Sequence, residues 1–175
     1  MTKEEIEAFI RPVPDFPKPG ILFRDITPLL GNAKAREAVL DLLEEAASGL
    51  ELDAIAGIES RGFLFGMALA DRLGIPFIPI RKAGKLPFEK IEYSYELEYG
   101  SATLEIHTDA VRQGDRVLVH DDLLATGGTA EAAAHLIDQI GGEVAGFSFI
   151  IALNFLNGRR VLEAYKKEII ALVEY

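Results

Sequence analysis

Val117-Leu118-Val119-His120-Asp121-Asp122-Leu123-Leu124-Ala125-Thr126-Gly127-Gly128-Thr129 is the stretch whose reading decides the fold. An apolar run ends in two adjacent carboxylates, and a turn of small residues then opens a helical pattern that continues to Ile140. Glycines let backbone approach a ligand closely, and the free N–H groups and positive end of a helix favour an anion. Thr126 and Thr129 add hydroxyl donors. No Gly-Lys-Ser/Thr follows, so this is not a nucleoside-triphosphate P-loop, and the Gly-x-Gly-x-x-Gly spacing of a dinucleotide site is missing. Acids placed before a phosphate turn suit a ligand with a phosphate at one end and hydroxyls at the other. Ribose 5-phosphate fits, with the turn from Ala125 to Thr129 on the phosphate and Asp121 and Asp122 accepting from ribose hydroxyls.

Working outward, the same grammar recurs. Asp53 to Ile58 reads as a buried strand, Glu59-Ser60-Arg61-Gly62 as a turn, and Phe63 to Leu73 as a helix stopped by Gly74. That helix is apolar almost all round, which predicts a deep position. Pro76 to Ile80, Val144 to Leu153 and Ile169 to Val173 are further strands, and an amphipathic helix runs from Asn32 to about Gly49, which is expected to cap its end. Strands alternating with helices predict an α/β fold, a Rossmann-like parallel sheet flanked by helices, with ligands beyond the carboxyl ends of the strands. Toward the N-terminus, a short acidic helix from Lys3 to about Ile10 gives way to a proline-rich extended segment. Arg81 to Tyr99 is the least regular stretch, a long loop or hairpin leading into a strand at Thr103 to His107, so that a flexible loop hairpin is expected over about residues 81–107.

Composition sets bounds. The 175 residues suit a single domain, 1–175, with a full core. A net charge of −10 argues against a nucleic-acid partner, and no apolar run is long enough to cross a membrane. The absence of cysteine excludes disulfides and thiolate chemistry. No basic-then-apolar leader pattern is evident at the N-terminus, so a cytoplasmic protein is expected. Against this acidic background, Arg81-Lys82-Ala83-Gly84-Lys85 stands out as a locally basic piece that suits a polyanionic small molecule.

The wording Asp121 to Thr129 resembles the phosphoribosyl pyrophosphate signature of the type I phosphoribosyltransferase family, and within it the adenine-specific branch. His120 departs from the usual aliphatic residue, with its side chain expected to point away from the acids. Three further motifs follow the family order. Glu59, Ser60 and Arg61 resemble its pyrophosphate loop, for which the resemblance implies a strained or cis peptide at Glu59-Ser60. Arg81, Lys82 and Lys85 match its basic Ile-Arg-Lys-x-Gly-Lys-Leu-Pro stretch. Phe16 to Ile26 resembles the adenine hood, within about residues 1–30: Leu22 and Phe23, with Leu153, would sandwich the base, and Arg24 would back the pocket. Tyr95 to Gly100 resembles the flexible catalytic loop, with Glu98 and Tyr99 as catalytic candidates.

The resemblance implies transfer of the 5-phosphoribosyl group from phosphoribosyl pyrophosphate to adenine, giving AMP and pyrophosphate in purine salvage. It further implies Mg2+ carried by substrate and water without dedicated protein ligands. A homodimer is expected, with Arg81 near the partner's site. Gly127 should be the least replaceable residue of the turn, because a side chain there would displace the phosphate. Hypoxanthine, guanine or orotate enzymes of the family are the nearest alternative. A regulator that kept the ligand site but lost catalysis is a reading of a different class, and it would need a basic face that the chain lacks.

Overall fold

The computed structural model describes residues 1–96 and 100–175. Helix α1 (Lys3–Glu7) is closed by a capping box: Thr2 Oγ1 accepts from Glu5 N–H, and Glu5 Oε2 accepts from Thr2 N–H. It ends before Ile10, earlier than expected. The proline-rich segment then forms β1 (Arg11–Pro14), which pairs antiparallel with β2 (Leu22–Asp25) in a separate two-stranded ribbon. A short α2 (Thr27–Gly31), which no periodicity announced, precedes α3 (Ala33–Ala47). Asn32 caps α3 as expected, accepting from Ala35 N–H at 3.0 Å. Its far end is at Ser48 in a right-handed conformation rather than at a Gly49 cap.

The remaining strands build one sheet. β3 (Ala54–Ile58), α4 (Gly62–Leu73) and β4 (Phe77–Lys82) form the first crossover unit, and Gly74 ends α4 with φ +66°. β5 (Lys90–Glu96) and β6 (Ser101–His107) form an antiparallel hairpin. β7 (Arg116–Leu124), α5 (Gly128–Gln139), β8 (Glu143–Ala152), α6 (Gly158–Leu162) and β9 (Glu168–Glu174) complete the chain, with single 3-10 turns on either side of α6. The order across the sheet is β5-β6-β4-β3-β7-β8-β9. From β4 to β9 the pairs are parallel, and β6 joins β4 antiparallel.

Both faces of the parallel region are covered, which is why β3 and most of β8 are continuously buried instead of alternating. Along β3, Ala54, Ala56 and Ile58 face α5, while Ile55 faces α3 and α4 through Val39, Leu43, Phe65 and Leu69. The expectation for α4 is half right. Phe65 and Leu69 are buried, but Leu64 and Met67 are about half exposed on its outer side. The hairpin is also more regular than its sequence promised. Ile91, Tyr93 and Tyr95 pack on the α5 side of the core, so alternate positions of β5 supply an anchoring face.

Candidate active site

Three strand ends and the hood converge at the carboxyl edge of the sheet. β7 carries Asp121 and Asp122 to the edge of a cavity that is also lined by Arg61, Ala125, Thr126, Gly127 and Thr129. A second cavity, lined by Glu59, Ser60, Arg61 and Lys82, shares Arg61, Asp121 and Asp122 with it. The two are therefore adjoining halves of one site, with the acid pair and Arg61 at the junction.

The chain turns from β7 into α5 at Gly127, whose φ of +89° is strained for any residue with a Cβ. A Cβ there would also stand 2.7 Å from Gly158 O and 3.0 Å from Val161 Cβ. The crowding around a Cβ at Gly127 comes from α6. Gly158 is the reciprocal half of this contact: a Cβ on it would lie 2.2 Å from Ala125 O and 3.0 Å from Gly127 N. Only glycine at both positions allows α6 to brace the turn backbone to backbone. Nothing in the pattern around Phe155 to Arg160 singled Gly158 out.

Asp122 is almost fully buried, and its Oδ2 meets Arg61 Nε at 2.7 Å. Burial pushes the Asp122 carboxyl up, opposed by the Arg61 charge. Asp121 is pushed well above the usual carboxylate range, by burial first and then by the charge of Asp122. One guanidinium beside the pair offsets one of the two negative charges. Hydroxyls of a ligand would give the pair further hydrogen-bond donors. Immediately behind, His120 is fully buried; its Nδ1 lies 2.8 Å from Ser148 Oγ, and a Cβ on Gly66 would come within 3.3 Å of the ring. Burial pulls the imidazole down to about 4, partly offset by Ser148.

In the second cavity, the Glu59-Ser60 peptide is cis. The Glu59 carboxylate gathers the basic cluster. It accepts from Lys85 Nζ at 2.9 Å, Arg81 Nε at 3.2 Å and Lys82 N–H at 3.0 Å. The Lys85 hydrogen bond is the main reason its carboxyl falls to about 2, with Lys82 N–H and Arg81 adding to it against desolvation. Glu59 therefore belongs to this half through the cations it holds. A second carboxylate, Glu105 on β6, fixes the same loop from below, and sequence reasoning passed over it. It is fully buried and accepts from the N–H groups of Gly84, Lys85 and Leu86 and from Lys90 Nζ. Burial pushes its carboxyl up, but Lys90 and the backbone donors outweigh this and hold it at about 2.

The hood approaches from the other side. Phe23 stacks edge-on with Phe16 at 5.2 Å, and Arg61 lies over the Phe23 ring at 5.3 Å, which joins the hood to the acid pair. Arg24 lies 3.5 Å over the ring of Tyr175. Tyr175 N–H donates to Ala152 O, and Tyr175 O accepts from Asn154 N–H, so the last residue flanks Leu153 on both sides. That contact brings β2 beside Leu153, and no sequence signal pointed to Tyr175. Leu22 is nearly half exposed. Gly128 lies under the Tyr95 ring, with 3.5 Å from a built Cβ to Cδ2. Glu98 and Tyr99 fall among residues 97–99, outside the described residues.

A family model of the phosphoribosyl transferase domain matches residues 30–172. The adenine phosphoribosyltransferase of Thermoanaerobacter pseudethanolicus is 53% identical over 175 residues, covering 100% of both chains. The crystal structure of the adenine phosphoribosyltransferase from that organism superposes with a TM-score of 0.96 at 52% identity, over 99% of this chain and 100% of that one. A Saccharomyces cerevisiae adenine phosphoribosyltransferase, solved with an imino-altritol bisphosphate and adenine, gives a TM-score of 0.90 at 41% identity, with 97% of each chain covered.

Proposed function

The chain belongs to the phosphoribosyl transferase family and transfers the 5-phosphoribosyl group from phosphoribosyl pyrophosphate to adenine, and we propose how its residues divide that work. The observation that carries the assignment is the shared junction of the two cavities at Arg61, Asp121 and Asp122. The turn from Ala125 to Thr129 holds the 5-phosphate through backbone N–H groups and the hydroxyls of Thr126 and Thr129. Asp121 and Asp122 accept hydrogen bonds from the ribose hydroxyls and set C1 at the junction. Ser60, Arg61 and Lys82 take the pyrophosphate, while Glu59 holds Arg81 and Lys85 beside it. Leu22, Phe23 and Leu153 hold adenine between apolar faces, and Arg24, braced on Tyr175, backs the base.

The C1–oxygen bond to pyrophosphate breaks and a purine nitrogen takes its place. The transition state has oxocarbenium character, so position and charge stabilisation supply the rate. Glu98 takes the adenine proton, and Tyr99 is the second catalytic candidate of that motif. Among the described residues no group of three or more His, Cys, Asp or Glu could hold a metal ion, while Asp121 and Asp122 offer hard oxygen donors on the ribose side. These residues suit Mg2+ carried on substrate oxygens and water, which when bound would supply charge neutralisation for the leaving group. The family resemblance supports a homodimer with Arg81 near the partner's site. No helix of the described residues is long and apolar enough to cross a membrane, and the cytoplasm is the proposed compartment.

The test is ligand binding and base choice together. Asp122→Asn should weaken phosphoribosyl pyrophosphate binding, and the wild-type protein should turn over adenine in preference to guanine. Unchanged affinity in Asp122→Asn would remove the acid pair from the ribose.

A further inference from the structure

β5 touches the phosphate turn through Tyr95, the first residue of the Tyr95 to Gly100 motif and one to which the resemblance gives no role. The Tyr95 hydroxyl lies 3.0 Å from Thr129 Oγ1, and its ring covers Gly128. The strand is held on α5 at a second point, where the Tyr93 ring meets His135 at 4.1 Å between centroids. On the opposite face of β5, Ser94 Oγ pairs with Thr103 Oγ1 at 2.7 Å, which fixes the register that presents Tyr93 and Tyr95 to α5. Tyr95 is partly buried within the α5 side of the core, so its hydroxyl is aimed at the turn by packing.

We propose that Tyr95 is a positioning residue for the 5-phosphate, holding the Thr129 hydroxyl so that its proton points to the ligand. This rests on the reading of residues 125–129 as the phosphate turn. A hydroxyl has one proton and can accept from another donor. With a phosphate in the turn, Thr129 gives its proton to the anion and Oγ1 becomes the acceptor for the phenol. A phenol is a stronger hydrogen-bond donor than an aliphatic alcohol, and a chain of hydrogen bonds polarises each member. Tyr95 thereby strengthens the Thr129 donor and removes its rotational freedom before the ligand arrives. The covering ring keeps water from competing at Gly128.

Tyr95→Phe keeps the ring and deletes only the hydroxyl. Titration calorimetry with ribose 5-phosphate and with inorganic pyrophosphate reads the two halves of the site separately. Loss of one hydrogen bond to the turn should weaken ribose 5-phosphate by roughly three- to tenfold. Pyrophosphate affinity and the thermal midpoint should stay at wild-type values. In a Thr129→Val background, where the relay has no middle member, Tyr95→Phe should cost nothing further. Unchanged ribose 5-phosphate affinity overturns the proposal. So does an equal loss for both ligands, which would mark a merely structural role, or full additivity with Thr129→Val. The phosphate turn is checked independently by Thr126→Val and Thr129→Val. If neither weakens ribose 5-phosphate, the turn is not the phosphate site and both readings fall. If they do and Tyr95→Phe does not, only Tyr95 is misassigned.

Discussion

Gly158→Ala should destabilise the protein and impair phosphoribosyl pyrophosphate use, although helix propensity alone predicts the reverse. Gly158 is the first residue of α6, where alanine in place of glycine would ordinarily add up to about 1 kcal/mol. The added Cβ, however, would stand 2.2 Å from Ala125 O, against the 3.4 Å at which ordinary contact begins, and 3.0 Å from both Ala125 C and Gly127 N. All three neighbours are backbone atoms, so no side chain can rotate away. The turn and α6 must separate by roughly 1 Å, and overpacking of that kind typically costs ~1–3 kcal/mol. Set against the propensity gain, a net loss of up to ~2 kcal/mol in urea unfolding is expected. The displaced atoms belong to the turn proposed to hold the 5-phosphate, and a shift near 1 Å can lower kcat/KM by up to ~100-fold. Gly31→Ala is the control, since nothing lies within 4 Å of its built Cβ. It should be neutral or slightly stabilising with unchanged kinetics. Gly158→Ala at or above wild-type stability, with an unaltered KM for phosphoribosyl pyrophosphate, would refute the backbone-to-backbone brace.

Other outcomes follow from the buried charges and the proposed roles. His120 is held at about 4 when folded and returns to its ordinary value near 6.5 when unfolded, so the unfolded chain binds the extra proton between them. Stability should therefore fall as pH drops from about 6.5 to about 4, and His120→Leu should flatten that part of the urea-midpoint profile; an unchanged slope would count against burial of the neutral ring. Glu105, at about 2 against an ordinary 4.5, contributes stability that is present above pH 4.5 and lost as pH falls toward 2. Glu105→Gln should shrink that lower window and leave the part contributed by Glu59, which is also held at about 2. Glu98→Gln should reduce single-turnover rates on adenine by ~10²–10⁴-fold, the usual scale of acid–base catalysis, while leaving phosphoribosyl pyrophosphate binding nearly intact. Wild-type turnover in that variant would end the proton role. Mixing inactive Arg81→Ala and Asp122→Asn proteins should restore partial activity if Arg81 serves the partner's site, and no recovery would confine it to the Glu59 cluster of its own chain.

What the sequence determined by itself was local and periodic. Continuous apolar runs fixed the buried strands of a parallel sheet, because a strand covered on both faces needs no alternation. The Asp-Asp pair, the small-residue turn and the helical pattern after it specified β7, the turn and α5, because carboxylates, glycine φ and helix capping all act within a few residues. The Tyr-Ser-Tyr alternation at 93–95 also held a signal, that both rings share one face, which the mixed charges around it obscured. Tertiary structure alone decided the rest. Gly158 opposes Gly127, Glu105 receives the N–H groups of residues 84–86, and Tyr175 carries Arg24 beside Leu153, each across a gap in sequence that no short-range rule spans. The exposed face of α4 went unread for the same reason, since an apolar pattern states what a surface is made of and only packing states which neighbour covers it.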